Sequence, residues 1–165
     1  MLEALIFDVD GTVAETEDMH RRAFNLAFAR HGLGLVWNAR EYRTLLKVAG
    51  GRERIAHALK LRGTPPDLAE VARVHATKTR FYEMLLAAEG VPWRSGVRRL
   101  MEQAWESGRA VALATTTSDA NLDPLFAPVL GAGWRSRFAA VVTGEMVVRK
   151  KPAADAHVEV LRRLG

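Results

Sequence analysis

The chain has 165 residues, a formal net charge of +5 and a hydrophobic fraction of 48%. That allows one domain, or a small domain carrying an insertion, with a sizeable core. No run reaches the roughly 18 apolar residues of a membrane span, no charged-then-apolar leader is visible, and the lack of cysteine excludes disulfides and thiolate metal sites while permitting a reducing cytoplasm. The positive balance calls for an anionic partner: nucleic acid, a membrane surface or a small anionic substrate. The basic residues are mostly arginines at helix-like spacing, with no basic tract interleaved with aromatics. A small anion is therefore expected, rather than nucleic acid or a membrane.

The first element is the run Leu5-Ile6-Phe7-Asp8-Val9-Asp10-Gly11-Thr12. A short unbroken apolar run predicts a strand buried on both faces, as in a parallel sheet. Its two carboxylates fall at the C-terminal end, where open α/β sheets bind their ligands. A buried ionised Asp is costly unless it is paired or holds a metal; the plain alternative is an Asp-Gly turn after a core strand. Thr12 to Thr16 reads as a loop, and Thr16 with Glu17 and Asp18 as a helix start. That helix carries Ala23, Phe24, Leu26, Ala27 and Phe28 up to a C-cap at Gly32. A second helix is expected from Ala39 to about Val48, and Gly50-Gly51 breaks it from a third bearing Ile55, Ala56, Ala58 and Leu59. Pro65-Pro66-Asp67 opens a longer helix through Leu85. From Glu15 to Gly90 the periodicity is helical throughout.

Beyond Val91-Pro92 the pattern changes. Gly96 to Ser107 predicts a helix with Val97, Leu100, Met101 and Trp105 inward. Ala110 to Ala114 is a second buried strand, followed by Thr115-Thr116-Thr117-Ser118 and a mixed stretch to Phe138. Ala139 to Val142 is a third strand, and Asp155 to Leu164 a last helix after Lys150-Lys151-Pro152. Strands alternating with helices imply an α/β fold with a parallel sheet.

Three stations in this order carry a family resemblance. Asp8 to Thr12 resembles the DxDGT motif of the haloacid-dehalogenase-like (HAD) phosphotransferases. Thr115, after an apolar strand, resembles the second motif, and Lys151-Pro152 with Asp155 the third. Singly, a Thr after a strand is a common helix cap and Lys-Pro a common surface pair. The resemblance implies a HAD-like Rossmannoid sheet over residues 1–14 and 91–165, with an α-helical cap inserted at 15–90. It implies that Asp8 attacks phosphorus to form an aspartyl-phosphate. Asp10 would protonate the leaving alkoxide and then deprotonate water, which requires a pKa above the reference of about 3.9. Thr115, Thr116 and Lys151 would bind the phosphoryl oxygens. Mg2+ would be held by Asp8 and Asp10.

The stretch Gly11 to Asn25, together with Gly50-Gly51-Arg52-Glu53-Arg54-Ile55, is similar to the CbbY branch of that superfamily. Members of that branch are related to β-phosphoglucomutase and dephosphorylate xylulose 1,5-bisphosphate. This implies that Glu17 and His20 face sugar hydroxyls, Gly50 and Gly51 present backbone amides, and Arg52 grips a distal phosphate with its planar fork. Tyr42 and Lys78 are further candidates. Plain readings stand beside these: a half-buried helix residue for His20, a helix-terminus charge for Glu17, a solvated face for Arg52, a helix break for Gly50-Gly51, and ordinary cap residues for Tyr42 and Lys78.

The family's fourth motif, an acidic pair, falls beyond Gly165. The expectation is a fragment or truncation with weaker metal binding, part of its basic charge reflecting where the chain stops. The first strand is then expected at an exposed edge open to self-association. The expected function is a magnesium-dependent cytoplasmic phosphatase of small phosphorylated sugars. The alternatives are a phosphosugar mutase, an inactive remnant that binds a phosphate ligand and, most distantly, a nucleic-acid binder.

Overall fold

The computed structural model describes residues 3–165; Met1 and Leu2, where the reading of the chain's start falls, lie outside the described residues. In chain order the elements are β1 (Ala4–Phe7), α1 (Glu17–Arg30), α2 (Ala39–Leu45), α3 (Gly51–Leu61), α4 (Leu68–Glu89), α5 (Val97–Glu106), β2 (Ala110–Ala114), α6 (Asp123–Leu130), β3 (Ala140–Val142) and α7 (Asp155–Leu164). Short 3-10 turns at Asp119–Asn121 and Trp134–Arg137 flank α6. The chain divides into two compact units, one running to Thr16 and resuming at Gly90, the other spanning Glu17–Glu89.

The first unit is an α/β sheet layer. All three strands are parallel, in the order β1-β2-β3, with Ile6 opposite Ala112 and Ala112 opposite Ala140. Val111 to Ala114 of the central strand are buried, as a continuous apolar run dictates when both faces are covered. β1 stands at one end of the order, and Ala4, Leu5 and Ile6 are only half-buried. The expected burial on both faces is thus met by Phe7 but not by the residues before it. Ala156 and Val160 of α7 pack on Ala112, Ala114, Ala140 and Val142. The small alanines of the strands let that helix approach closely. On α5, Met101 and Ala104 are buried, but Leu100 is 45% exposed, contrary to the expected inward face. The helix turns only Met101 and Ala104, one i,i+3 row, fully inward. Phe126, Trp134 and Phe138 form an aromatic cluster with ring centroids 4.6–5.6 Å apart, and the Trp134 indole N–H donates to Asp123 Oδ1 at 2.8 Å.

The second unit is helical. Phe24, Phe28, Trp37, Tyr42, Ile55, Leu59, Val71 and Val74 make its core. Apolar residues three and four apart on α1 and α4 supply the facing stripes. α1 ends as the sequence predicts: Gly32 takes φ +64°, and the Leu33 N–H returns to the Phe28 carbonyl at 3.1 Å. α2 starts in a capping box in which Asn38 accepts from the Arg40 and Glu41 amides, and Glu41 accepts from Asn38. It stops at Leu45, short of the expected Val48, in a tight turn closed by the Val48 N–H on the Leu45 carbonyl. No helix among the described residues is long and apolar enough to cross a membrane.

Candidate active site

β1 delivers Asp8 to the C-terminal edge of the sheet. Immediately afterwards the backbone folds back on itself. The Val9 carbonyl accepts from Thr12 (3.1 Å) and Val13 (2.8 Å), and the Gly11 N–H donates to the Ala14 carbonyl at 2.8 Å. Gly11 sits at φ +74°, where a side chain would be strained, so the turn after Asp10 requires glycine. Arg94 fastens the turn from outside. Its amide donates to the Val13 carbonyl at 2.7 Å and its guanidinium to the Gly11 carbonyl at 2.6 Å, while Nε faces Glu15 Oε1 at 3.2 Å. The Thr16 hydroxyl, read from the sequence as a helix cap, donates to Asp10 Oδ1 at 2.5 Å from a fully buried position.

β2 leads into Thr115, which is 1% exposed and whose amide donates to the Val142 carbonyl at 3.0 Å. This continues the β2–β3 pairing one residue past the strand. The Gly144 N–H donates to the Thr117 carbonyl at 3.1 Å, and a Cβ on Gly144 would collide with the Thr116 carbonyl oxygen. Because that neighbour is backbone, it cannot swing aside. Gly144→Ala is therefore expected to destabilise the chain by about 1–3 kcal/mol, read as a lower denaturation midpoint with unchanged slope.

Lys151 ties the stations together. Its Nζ donates to Asp8 Oδ1 at 2.8 Å and to the Ala114 carbonyl at 2.7 Å, so one ammonium joins the ends of β1 and β2 across 143 positions of sequence. The Asp8 side chain is 40% exposed and that of Lys151 is 24% exposed, leaving the pair open to a ligand. The loop that carries Lys151 is anchored by Asp155 in the first turn of α7. That carboxylate accepts from the Arg149 amide at 3.2 Å and from its guanidinium at 2.9 Å. Hydrogen bonding to Arg149 holds Asp155 below its ordinary value of 3.8. A depressed carboxylate stabilises the fold above its unfolded value and loses that contribution as pH falls through its lowered folded value. Asp155→Asn is accordingly expected to lower the melting temperature at neutral pH, with the gap to the wild type closing as pH falls below 3.8.

The structure thus brings Asp8, Lys151 and the end of β2 together, with Asp10 following Asp8 and Thr115 and Thr116 following β2. Reactive groups gathered at strand C-termini suit the binding of a phosphoryl group by one ammonium and backbone-anchored hydroxyls. The oxygens that could serve a metal here are the Asp8 carboxylate and the Asp10 backbone carbonyl. Among the described residues no cluster of three or more His, Cys, Asp or Glu side chains could hold a metal ion. Such donors would suit a hard cation that takes one carboxylate and a carbonyl and completes its shell from water and ligand phosphate.

The helical unit holds its own polar cluster. His20 Nδ1 and Lys78 Nζ are 2.8 Å apart, and both residues are buried. An ammonium can only donate, so Nδ1 accepts and the proton of a neutral ring lies on Nε2. The His20 ring stacks on Tyr82 at 3.9 Å, and Lys78 Nζ lies 5.0 Å from the Phe24 and Tyr82 ring centres. Glu17 is half-buried and three residues before His20, hence on the same face of α1. Gly50 caps α3 at φ +92° with the Glu53 carboxylate against it, Gly51 meets the His75 ring, and Arg52 is exposed in the first turn. Tyr42 is different. It is 3% exposed in the core, and its hydroxyl accepts from Arg54 at 2.9 Å. It packs in the core and holds Arg54.

The sequence does not give the partners of Thr16, Arg94 and Gly144. Thr16 was visible only as a cap, and no local signal links Arg94 to Gly11 or Gly144 to Thr116, because each partnership is made by the fold.

A model of the haloacid dehalogenase-like hydrolases matches residues 2–165. The plasmid-borne CbbY of Cupriavidus necator is 48% identical over 99% of this chain and 66% of its own length. CbbY of Rhodobacter capsulatus is 43% identical over 99% of this chain and 72% of its own. A crystal structure of a CbbY variant from Rhodobacter sphaeroides, in complex with xylulose 1,5-bisphosphate, superposes with a TM-score of 0.92 at 41% identity, covering 99% of this chain and 73% of that one.

Proposed function

Because the chain belongs to the haloacid dehalogenase-like hydrolase family, we propose that it is a magnesium-dependent cytoplasmic phosphatase of small phosphorylated sugars. Its reaction is most like the hydrolysis of xylulose 1,5-bisphosphate. The observation that carries the reading is Lys151 Nζ, 2.8 Å from Asp8 Oδ1 and 2.7 Å from the Ala114 carbonyl. A carboxylate nucleophile is repelled by a phosphate dianion unless positive charge stands beside both. Lys151 is the cation that can serve both. The likeness to CbbY proteins, one of which was solved in complex with xylulose 1,5-bisphosphate, supports a sugar bisphosphate.

Asp8 Oδ attacks phosphorus while the ester oxygen leaves, giving an aspartyl-phosphate. Asp10, held through Oδ1 by Thr16, delivers a proton to the leaving alkoxide and then takes one from the attacking water. Lys151 and the Thr115 hydroxyl bind the phosphoryl oxygens, where charge gathers during transfer; Thr116 adds its backbone to the same loop. The Asp8 carboxylate and the Asp10 backbone carbonyl would hold magnesium, which when bound neutralises phosphate charge. Specificity rests with the helical unit. Glu17, His20 and Lys78 recognise sugar hydroxyls, while Gly50, Gly51 and Arg52 take the distal phosphate. In this reading residues 1–14 and 91–165 are the catalytic core and 15–90 the cap.

The test compares phosphate release from xylulose 1,5-bisphosphate and glucose 1-phosphate. The bisphosphate is expected to be turned over faster. Losing a charge-assisted hydrogen bond, Arg52→Ala should lose roughly 10–100-fold in kcat/KM on the bisphosphate, and much less on the monophosphate. Equal losses on both would remove the distal-phosphate role. A positional isomer in place of free phosphate would make the chain a mutase.

A further inference from the structure

The loop after β2 contains a buried polar relay that the reaction, as described, leaves unused. The Thr117 N–H donates to Thr115 Oγ1 at 3.2 Å, and the Asn121 side-chain amide donates to Thr117 Oγ1 at 2.8 Å. Thr115, Thr117 and Asn121 are 1%, 9% and 4% exposed. Asn121 is fixed in turn: it closes the 3-10 turn through its N–H on the Ser118 carbonyl at 3.1 Å, and Asp119 of that turn is gripped by Arg135 at 2.9 and 3.0 Å.

A hydroxyl has one proton and two lone pairs. With a backbone N–H on one lone pair of Thr115 Oγ1, its proton is turned away from Thr117 and remains available to another acceptor. The Thr115 amide is committed to Val142, so the hydroxyl is what this residue can offer. We propose that Asn121 is a positioning residue for phosphoryl recognition, locking Thr117 so that its N–H orients the Thr115 hydroxyl to donate to a phosphoryl oxygen. The inference rests on the reading of Thr115 given under Proposed function.

A second observation separates this role from packing. Asn121 Oδ1 is buried with no hydrogen-bond partner among the described residues. Its amide nitrogen bonds the Thr117 hydroxyl instead, so that hydroxyl is what the side chain holds.

The experiment measures inorganic phosphate binding by titration calorimetry, the KM for xylulose 1,5-bisphosphate and the melting temperature, for the whole chain and three variants. Thr117→Val removes the Asn121–Thr117 bond with little change in shape, and Asn121→Ala removes it without adding bulk to the buried site; Thr117→Ser keeps it. Freeing the hydroxyl is expected to raise the phosphate Kd and the KM about tenfold in both disrupting variants. Both disrupting variants should stay folded at the assay temperature, and Thr117→Ser should stay near wild-type affinity. Unchanged phosphate Kd and KM in both disrupting variants overturn the inference alone. So does a loss that tracks a falling melting temperature and that Thr117→Ser shares. A wild-type chain that binds no phosphate overturns the reading of Thr115, and this inference with it.

Discussion

Asp8→Asn should abolish phosphate-ester turnover while leaving the chain folded. The amide is isosteric but is a poor nucleophile, so the covalent route closes. Loss of a nucleophile costs on the order of 10⁴-fold or more in kcat. The fold should barely notice. Asp8 is 40% exposed, and an ion pair so open to water contributes little to stability. The informative combination is thus a wild-type melting temperature with activity at background. A variant retaining substantial turnover would mean that another group attacks phosphorus.

Lys151→Met is expected to be the second most damaging change. The methionine keeps most of the stem but removes the ammonium that donates to both Asp8 and the Ala114 carbonyl. Two consequences follow. The phosphoryl group loses a fixed positive charge where oxygen charge accumulates, a loss of roughly 10²–10³-fold in kcat for a preorganised donor. The Asp8 carboxylate also loses the cation that lets it approach a dianion. Both effects fall on kcat/KM, and the kinetic comparison is made at saturating magnesium so that charge supplied by the metal is held constant. A change confined to KM would mean that Lys151 binds the ground state and the transition state equally.

The elements were legible where local physics decides them. Ala110 to Ala114 is an unbroken apolar run, and it is the buried central strand. Asp155 to Leu164 has an acid in its first turn, arginines in its last and one apolar stripe, and its limits are those of α7. The resemblance at Asp8, Thr115 and Lys151 pointed to residues far apart in sequence, of which Asp8 and Lys151 meet directly. Legibility failed where a partner lies elsewhere in the chain. Leu100 has the right spacing for an inward face, but which row of a helix turns inward depends on what packs against it. The neighbours of Tyr42, namely Trp37, Phe24 and Arg54, are likewise set by the fold and not by local spacing. Thr16 carries a cap's identity, but its hydroxyl is drawn to a carboxylate six residues back. The bond from Asn121 to Thr117 spans four residues, close enough to have been seen, but nothing in an Asn's neighbourhood says which hydroxyl it will meet.

The most direct measurement is peptide mapping by mass spectrometry of the chain quenched in acid during turnover of xylulose 1,5-bisphosphate with magnesium present. Acid slows hydrolysis of an acyl-phosphate enough to locate it. A phosphoryl group on Asp8, absent from the Asp8→Asn variant, is the predicted result. Steady phosphate release with the label on another residue, or with no covalent phosphoryl-enzyme trapped at any time, would contradict it.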